Sequence, residues 1–183
     1  MALRPVFLKG DSIVLRPLHP DDTTGPYLNW FNDEEVCRGN SHHVFPFTEA
    51  VASEYISYSH RSKDDLILAI DKKTNNQHIG NIALQRIHPV YRSAELSIII
   101  GEKSAWGKGY GLEAVRLMCD HAFRTLNLHR VACGTFGSNE GMIHLALSIG
   151  MKEEGRRKEA VFKDGQYIDV IEFGILRDEY LKK

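Results

Sequence analysis

The sequence predicts one α/β domain in which a mixed sheet carries helices on both faces. A length of 183 residues with 43% hydrophobic content is enough to bury a sizeable core. Short apolar runs of strand length alternate irregularly with amphipathic helical patterns, so the order is not a regular βαβ series. Neither a linker nor a repeat divides the chain, and we therefore expect a single domain over 1–183.

The first third of the chain predicts one strand and two helical regions. The strand covers 12–16 and ends at a proline, because proline cannot donate to a sheet ladder. A helical region over 21–35 is interrupted at Gly25-Pro26. Residues 37–47 form an irregular loop, and Thr48 is a suitable N-cap for the helix that follows it.

The remaining two thirds predict strands, two helices and a closing hairpin. Gly150 fits the left-handed end of the second of these helices. The pair Asp164-Gly165 fits a two-residue type I′ turn between the hairpin strands. In chain order, the predicted elements are strands over 66–70, 78–87 and 93–100, a helix over 109–126, a strand over 131–135, a helix over 139–149, and hairpin strands over 151–162 and 166–176.

Composition excludes several classes of function. A formal net charge of −1 and a pI near 6.8 give no general attraction to nucleic acid or to an anionic membrane. The three dispersed cysteines form no CxxC pair, and no apolar run approaches the roughly 20 residues that cross a bilayer. Residues 1–9 lack a secretory apolar segment, so we expect a cytoplasmic protein. His42-His43 lacks the neighbours of a metal motif, and no metal site is predicted.

A glycine-rich segment, Trp106 to Ala114, carries the strongest chemical signal. It follows the apolar strand that ends at Ile100 and opens an amphipathic helix. Glycines let the backbone approach a ligand, and the free N–H groups of a helix start attract an anion. The segment therefore predicts a phosphate site, for which a tight structural turn is the plain alternative. The spacing GxGxG matches neither the Rossmann fingerprint nor the P-loop, so both nucleotide folds fit poorly.

The segment resembles the acetyl-CoA loop of the GCN5-related N-acetyltransferases, the GNAT family. Gly109-Tyr110-Gly111 matches the glycine half of the family's Arg/Gln-x-x-Gly-x-Gly/Ala pattern, while Trp106 replaces Arg/Gln. WGKGYG followed by Glu113-Ala114 is similar to the RimJ/RimL branch, the ribosomal-protein N-terminal acetyltransferases. Further motifs resemble the family from about 10 to 177, among them LRPL at 15–18, NWFNDEEV at 29–36, AELSIII at 94–100 and NEGMIHLALSIGM at 139–151.

The resemblance implies the GNAT fold and acetyl-CoA as cosubstrate. The fold is a mixed, mostly antiparallel sheet of six to seven strands with a splay between the fourth and fifth. Pantetheine would pair with backbone groups of Ile98, Ile99 and Ile100, and the pyrophosphate would lie on the loop formed by Trp106, Gly107, Lys108, Gly109, Tyr110 and Gly111. Asn139 would lie near the cofactor, although an N-cap role explains it equally well.

Catalytic residues are less clearly marked. Glu95 is the carboxylate of its strand and the candidate base, with a surface salt bridge as the alternative. Ala146 stands where many family members carry the tyrosine that protonates the departing thiolate. The acceptor amine would bind between the 37–47 loop and the final hairpin.

Three functions remain open at this stage. The branch resemblance implies acetylation of a protein N-terminal amine, and a polyamine or nucleotide amino sugar is the alternative acceptor. The second possible function is a CoA-binding module that catalyses no reaction. The third is a nucleotide-binding domain. The resemblance also implies a homodimer.

Overall fold

The computed structural model describes residues 4–182 and places one eight-stranded sheet at the centre of the protein. Residues 1–3 and 183 of the predicted domain lie outside the described part. The strands run in the order β1-β2-β3-β4-β5-β6-β8-β7, and all neighbouring pairs are antiparallel except β5 and β6. Their bounds are β1 Leu8–Lys9, β2 Ile13–Pro17, β3 Leu66–Lys72, β4 His78–His88, β5 Ser93–Ile100, β6 Arg130–Phe136, β7 Lys152–Lys163 and β8 Gln166–Leu176.

Helices cover both faces of the sheet, which confirms the predicted fold class. Their bounds are α1 Tyr27–Phe31, α2 Glu49–Arg61, α3 Tyr110–Asp120, α4 Glu140–Ser148 and α5 Arg177–Leu181. One strand was not predicted, β1, because two residues are too few to show alternation. The predicted region 21–35 divides at Gly25-Pro26 into a 3₁₀ turn, Pro20–Thr24, and helix α1.

The sheet opens between β5 and β6, as the predicted splay requires. These parallel strands pair at three positions, from Ser93 with Arg130 to Glu95 with Ala132. Beyond Glu95, β5 continues to pair with β4 up to Ile100, while β6 pairs with β8 along its whole length, Arg130 to Phe136. The two strands are the fourth and fifth of the fold when the short edge strand β1 is not counted.

Two apolar clusters hold the helices against the sheet. The larger lies under α3 and α4 and includes Val115, Met118 and Phe123. The smaller packs Tyr27 and Trp30 of α1 against α2 and the opposite sheet face. After Asp120 the α3 helix widens into a π-helical segment, His121–Thr125, and Leu126, which follows it, is exposed.

The hairpin turn also has the predicted geometry. Asp164 and Gly165 have φ values of 51° and 81°, as a type I′ turn requires. No helix within residues 4–182 is both long and apolar enough to span a membrane.

A buried ion network stabilises the N-terminal side of the sheet. The Arg16 side chain is 1% exposed and donates from Nε to Asp71 (2.6 Å) and from both terminal nitrogens to Asp22 (2.8 and 2.9 Å). Arg4 reaches the same Asp22 carboxylate from the surface at 2.6 Å. Arg16 is therefore the buried cation that Asp22 and Asp71 share.

Candidate functional site

The glycine segment forms an open turn that begins α3. Gly107 and Gly109 have φ values of 69° and 82°, in the left-handed region that strongly favours glycine. The helical ladder begins with the Glu113 N–H donating to the Gly109 carbonyl (3.0 Å). The N–H groups of Tyr110, Gly111 and Leu112 precede that ladder and point toward the positive end of the helix dipole. This is an arrangement that can bind a pyrophosphate.

Trp106 fastens this turn to the end of β5. Its indole Nε1 donates to the carbonyl of Ile100 at 2.7 Å, while the ring stays partly exposed beside the cleft. An arginine or glutamine at this position would offer polar groups to a phosphate. The indole instead has one N–H, which donates to the Ile100 carbonyl and holds the loop against the end of β5.

Replacing Trp106 with phenylalanine should weaken CoA binding without slowing the chemical step. Phe keeps most of the ring contact and removes the N–H, so the Ile100 carbonyl loses its partner and the loop its tether. One hydrogen bond of this kind contributes roughly 0.5–1.5 kcal/mol, and we expect the KM for acetyl-CoA to rise about three- to tenfold. Steady-state kinetics measure this. An unchanged KM in a variant that unfolds at lower temperature would reduce Trp106 to a purely structural role.

Two contacts define which way each backbone group of β5 points. At one end, the Gly101 N–H donates to the Ile79 carbonyl on the β4 side (2.9 Å). At the other, the Arg130 N–H of β6 donates to the Arg92 carbonyl (3.2 Å). Successive residues of a strand direct their backbone groups to opposite edges. Odd-numbered residues of β5 therefore face β4, and even-numbered residues face β6.

Ile98 and Ile100 thus direct their N–H and C=O groups into the splay. Because Trp106 already occupies the Ile100 carbonyl, the Ile98 N–H and C=O and the Ile100 N–H are left to pair with a ligand. Ile99 differs from the prediction. Its backbone faces Asn81 on β4, so its side chain alone lines the cavities.

Two cavities meet at this open stretch of β5. A cleft of about 700 Å³ runs along the glycine turn, the start of α3 and α4. A second cavity of about 460 Å³ lies on the α1 and α2 side of the sheet. They share Ile98, Ile99 and Asn139 on their walls. A donor in the first cavity and an acceptor in the second would therefore meet beside the Ile98 backbone.

Asn139 connects the loop at 37–47 to helix α4. Its Oδ1 accepts from the Met142 N–H (3.1 Å) as an N-cap, and its Nδ2 donates to the Gly39 carbonyl (2.9 Å). A Cβ on Gly39 would lie 2.6 Å from Nδ2, so the loop approaches the helix closely enough to require glycine there. Both polar atoms of Asn139 are engaged within the protein, and the residue shapes the junction through this contact.

Glu95 lies outside the walls of both cavities. Its carboxylate forms an ion pair with Arg86, and both side chains are largely exposed. It faces the same side of the sheet as Ser97, which does line the second cavity. The structure therefore does not bring the candidate base to the junction.

The structure adds residues that the sequence motifs did not indicate. Arg38 lines the larger cleft and has no ion-pair partner among residues 4–182, so it can meet an anionic group there. In the sequence, Arg38 is a single basic residue in a loop that carries no family motif. Lys108, predicted as a phosphate contact, is exposed in the turn and is absent from the cleft wall.

The other predicted positions have mixed outcomes. Ala146 is buried in α4 and supplies no acidic hydrogen, as the sequence implied. His42 lines the second cavity, and desolvation lowers its pKa, as does the nearby charge of Lys163. Within residues 4–182, His, Cys, Asp and Glu side chains form no group of three or more placed to hold a metal ion.

Comparison with known proteins gives one family. A model described as an acetyltransferase (GNAT) domain matches residues 12–152. Spermidine N(1)-acetyltransferase of Escherichia coli K12 is 28% identical over 171 residues, which is 93% of this chain and 89% of that protein. The enzyme of the same name from Vibrio cholerae is 35% identical over 105 residues, 57% of this chain, and the match spans 60% of its length.

Solved structures agree with the sequence relatives. The crystal structure of spermidine N-acetyltransferase from Vibrio cholerae in complex with CoA and spermine superposes with a TM-score of 0.83 at 26% identity. The superposition covers 93% of this chain and 98% of that one.

Proposed function

From the premise that this chain belongs to the GNAT acetyltransferase family and is an acetyl-CoA-dependent N-acetyltransferase, we propose that its acceptor is a small molecule with a primary amine. The observation that carries this proposal is the second cavity, which adjoins the donor cleft at Ile98 and has a volume of about 460 Å³, the size of a small-molecule site. The spermidine-acetylating relatives, which match along most of the chain, support a small acceptor over a protein N-terminus.

The residues of the donor cleft fit CoA. When bound, acetyl-CoA supplies the acetyl group as a thioester. The first-turn N–H groups of α3 and the exposed Arg38 would hold its phosphates. Ile98 and Ile100 would pair with its amide arm as an added strand. The Ile98 N–H, directed into the splay, would stabilise the oxygen that becomes negative as the amine attacks.

We propose that His42 accepts the proton from the attacking amine. It lines the acceptor cavity, whereas Glu95 is paired with Arg86 outside it. Because desolvation lowers its pKa, His42 is the free base at neutral pH and can take a proton. Its protonation should switch activity off on the acid side, so kcat/KM should rise with pH through a pKa below 6.5, the ordinary value.

A pair of matched variants separates the two candidate bases. We expect His42→Gln to abolish the acidic limb of the pH profile and to lower kcat about 10²-fold or more, the usual share of general base catalysis. Glu95→Gln should leave both the acidic limb of the pH profile and kcat unchanged. If the acidic limb disappears in Glu95→Gln and remains in His42→Gln, the general base is Glu95.

The acceptor class is tested by release of free CoA thiol across a panel of amines. The panel contains small monoamines, spermidine, a nucleotide amino sugar and peptides with free N-termini. We expect a small amine to give the highest kcat/KM. A peptide that exceeds every small amine would overturn the proposed acceptor class. Tight CoA binding with no release for any amine would instead favour a module without turnover.

Two finer predictions from the resemblance are still proposals. Membership of the RimJ/RimL branch rests on the WGKGYG segment and Trp106, and the peptide arm of the same panel tests it. The expected homodimer is tested by light scattering on the purified chain.

A further inference from the structure

The wall of the acceptor cavity carries no formal charge at neutral pH. Among the described residues that line it, none is Asp, Glu, Lys or Arg, and the ionisable ones are Tyr27, Tyr55 and His42. Burial raises the pKa of Tyr55 to about 12 and that of Tyr27 further, so both phenols stay protonated. Desolvation lowers the pKa of His42, which is then neutral.

Several carboxylates near the cavity are already paired with cations, and Asp65, whose charge adds to the pKa rise that burial causes in Tyr55, accepts hydrogen bonds from the Tyr58 hydroxyl and the Arg86 N–H. Asp22 and Asp71 are bound by Arg16, Glu95 is paired with Arg86, and Glu35 of the donor cleft is paired with Lys103. A polyamine in this cavity would bring ammonium groups beyond the reacting one. Each ammonium group that entered would lose water without meeting a carboxylate on the cavity wall. The cavity therefore disfavours a polycation.

Two buried polar atoms on the cavity wall have no hydrogen-bond partner in the described structure, the Tyr27 hydroxyl and the Asn81 Nδ2. The His78 Nε2 contacts the Gly80 carbonyl (3.0 Å) and Asn81 Oδ1 (2.9 Å). Because a backbone carbonyl can only accept, His78 Nε2 must carry a hydrogen, and the Asn81 atom facing it must be the oxygen. The Asn81 amide N–H groups are therefore free donors.

Tyr27 and Asn81 are 0% and 6% exposed, so a partner for these atoms has to come from inside the cavity. The Asn81 amide lies near enough to the Tyr27 hydroxyl to oppose part of the pKa rise that burial causes, but outside hydrogen-bonding geometry. An unpaired buried polar group costs about 1–3 kcal/mol. A ligand oxygen between them would satisfy both.

Aromatic rings form one part of the wall, beside aliphatic and small polar side chains. The Phe31 and Phe47 rings lie 4.5 Å apart, and Tyr27 meets both edge-on at 5.4 and 5.8 Å. Such a wall favours contact with a flat ring.

Resting on the proposed function, we propose that the acceptor is a primary monoamine with an uncharged aromatic body that carries a hydroxyl or carbonyl oxygen. In the reaction its nitrogen forms the new amide bond, the thioester C–S bond breaks, and the proton passes by way of His42 to the departing thiolate. The oxygen at the other end of the acceptor is bound by Tyr27 and Asn81.

Three probe amines test this in the wild-type enzyme. Tyramine carries a ring and a hydroxyl, phenethylamine lacks the hydroxyl, and spermidine is a polycation. We expect tyramine to exceed phenethylamine in kcat/KM by about 5- to 100-fold, the value of satisfying a buried polar group. Spermidine should fall at least 100-fold below tyramine. Calorimetry in the presence of CoA should give the same order of affinities.

A charge introduced into the cavity should reverse the preference in part. Gln85 lines the cavity and accepts a hydrogen bond from Ser97 Oγ (3.1 Å), which a carboxylate can keep. We expect Gln85→Glu to raise the spermidine-to-tyramine ratio of kcat/KM about tenfold or more. Gln166→Glu makes the same change on the exposed end of β8 and should leave the ratio unaltered.

The outcomes separate this inference from the proposed function. Spermidine turnover equal to or above that of tyramine, or an unchanged ratio in Gln85→Glu, overturns the uncharged aromatic acceptor and leaves a small amine as substrate. A peptide that exceeds all three probes overturns both.

Discussion

Ile98→Pro should lower kcat/KM by about 10²–10³-fold while the protein stays folded. The Ile98 N–H faces the splay and not β4, so proline at this position removes no ladder hydrogen bond. It does remove the donor that we assign to the developing oxyanion. Acetyl transfer to the best amine of the panel gives the rate, and circular dichroism gives the melting temperature.

Neighbouring variants make this result specific. Ile98→Val keeps the N–H and alters the side chain by one methylene, so its kcat/KM should stay within a few-fold of wild type. Ile99→Pro would remove an N–H that faces Asn81 on β4 and should destabilise the sheet. Near wild-type activity in Ile98→Pro would contradict the oxyanion role of this N–H.

Arg16→Met should reduce the free energy of unfolding by about 3–5 kcal/mol, because it leaves Asp71 without its cation and Asp22 with only the partly exposed Arg4. Urea unfolding measures this difference. Arg4→Met is the matched control. It removes a cation from the same Asp22 carboxylate, but from a partly exposed position, and should cost no more than about 1 kcal/mol. Similar losses in the two variants would contradict the role of the buried arginine.

The loss of stability in Arg16→Met should also depend on pH. Burial acts to raise the pKa of Asp22, but its hydrogen bonds to Arg16, together with the charges of His78 and Arg16, hold it below the ordinary value of 3.8. A carboxylate with a lowered pKa contributes stability above 3.8 and loses it as pH falls through the folded value. The difference between wild type and Arg16→Met should therefore be largest near neutral pH and shrink in acid.

Local patterns in the sequence were enough for much of the fold. Alternation and turn chemistry predicted the strands from β2 onward, and Asp164-Gly165 predicted the hairpin turn. The two-residue strand β1 was not predicted, because it is defined by its pairing with β2 and has no alternation pattern of its own.

The donor cleft was easier to predict than the acceptor cavity. The glycines at 107 and 109 require positive φ, and that need is visible in the residue type itself. The acceptor cavity gathers side chains from α1, α2, β4, β5 and the 37–47 loop, which no single motif spans. Glu95 is a candidate base because it is the carboxylate of its strand, and no local pattern in the sequence indicates that Arg86 pairs with it.

By itself, the sequence predicted the element order from β2 onward, the family and a helix start suited to an anion, because each depends on residues that are neighbours along the chain. The tertiary structure alone decided that Ile98 and not Ile99 faces the splay, since this depends on the register between β5 and β4. It alone decided that Trp106 holds the glycine turn and that Tyr27 and Asn81 share one uncharged cavity. The cavity joins segments that are distant along the chain, and the Trp106–Ile100 hydrogen bond depends on how the intervening loop folds back, so neither can be read from a local pattern.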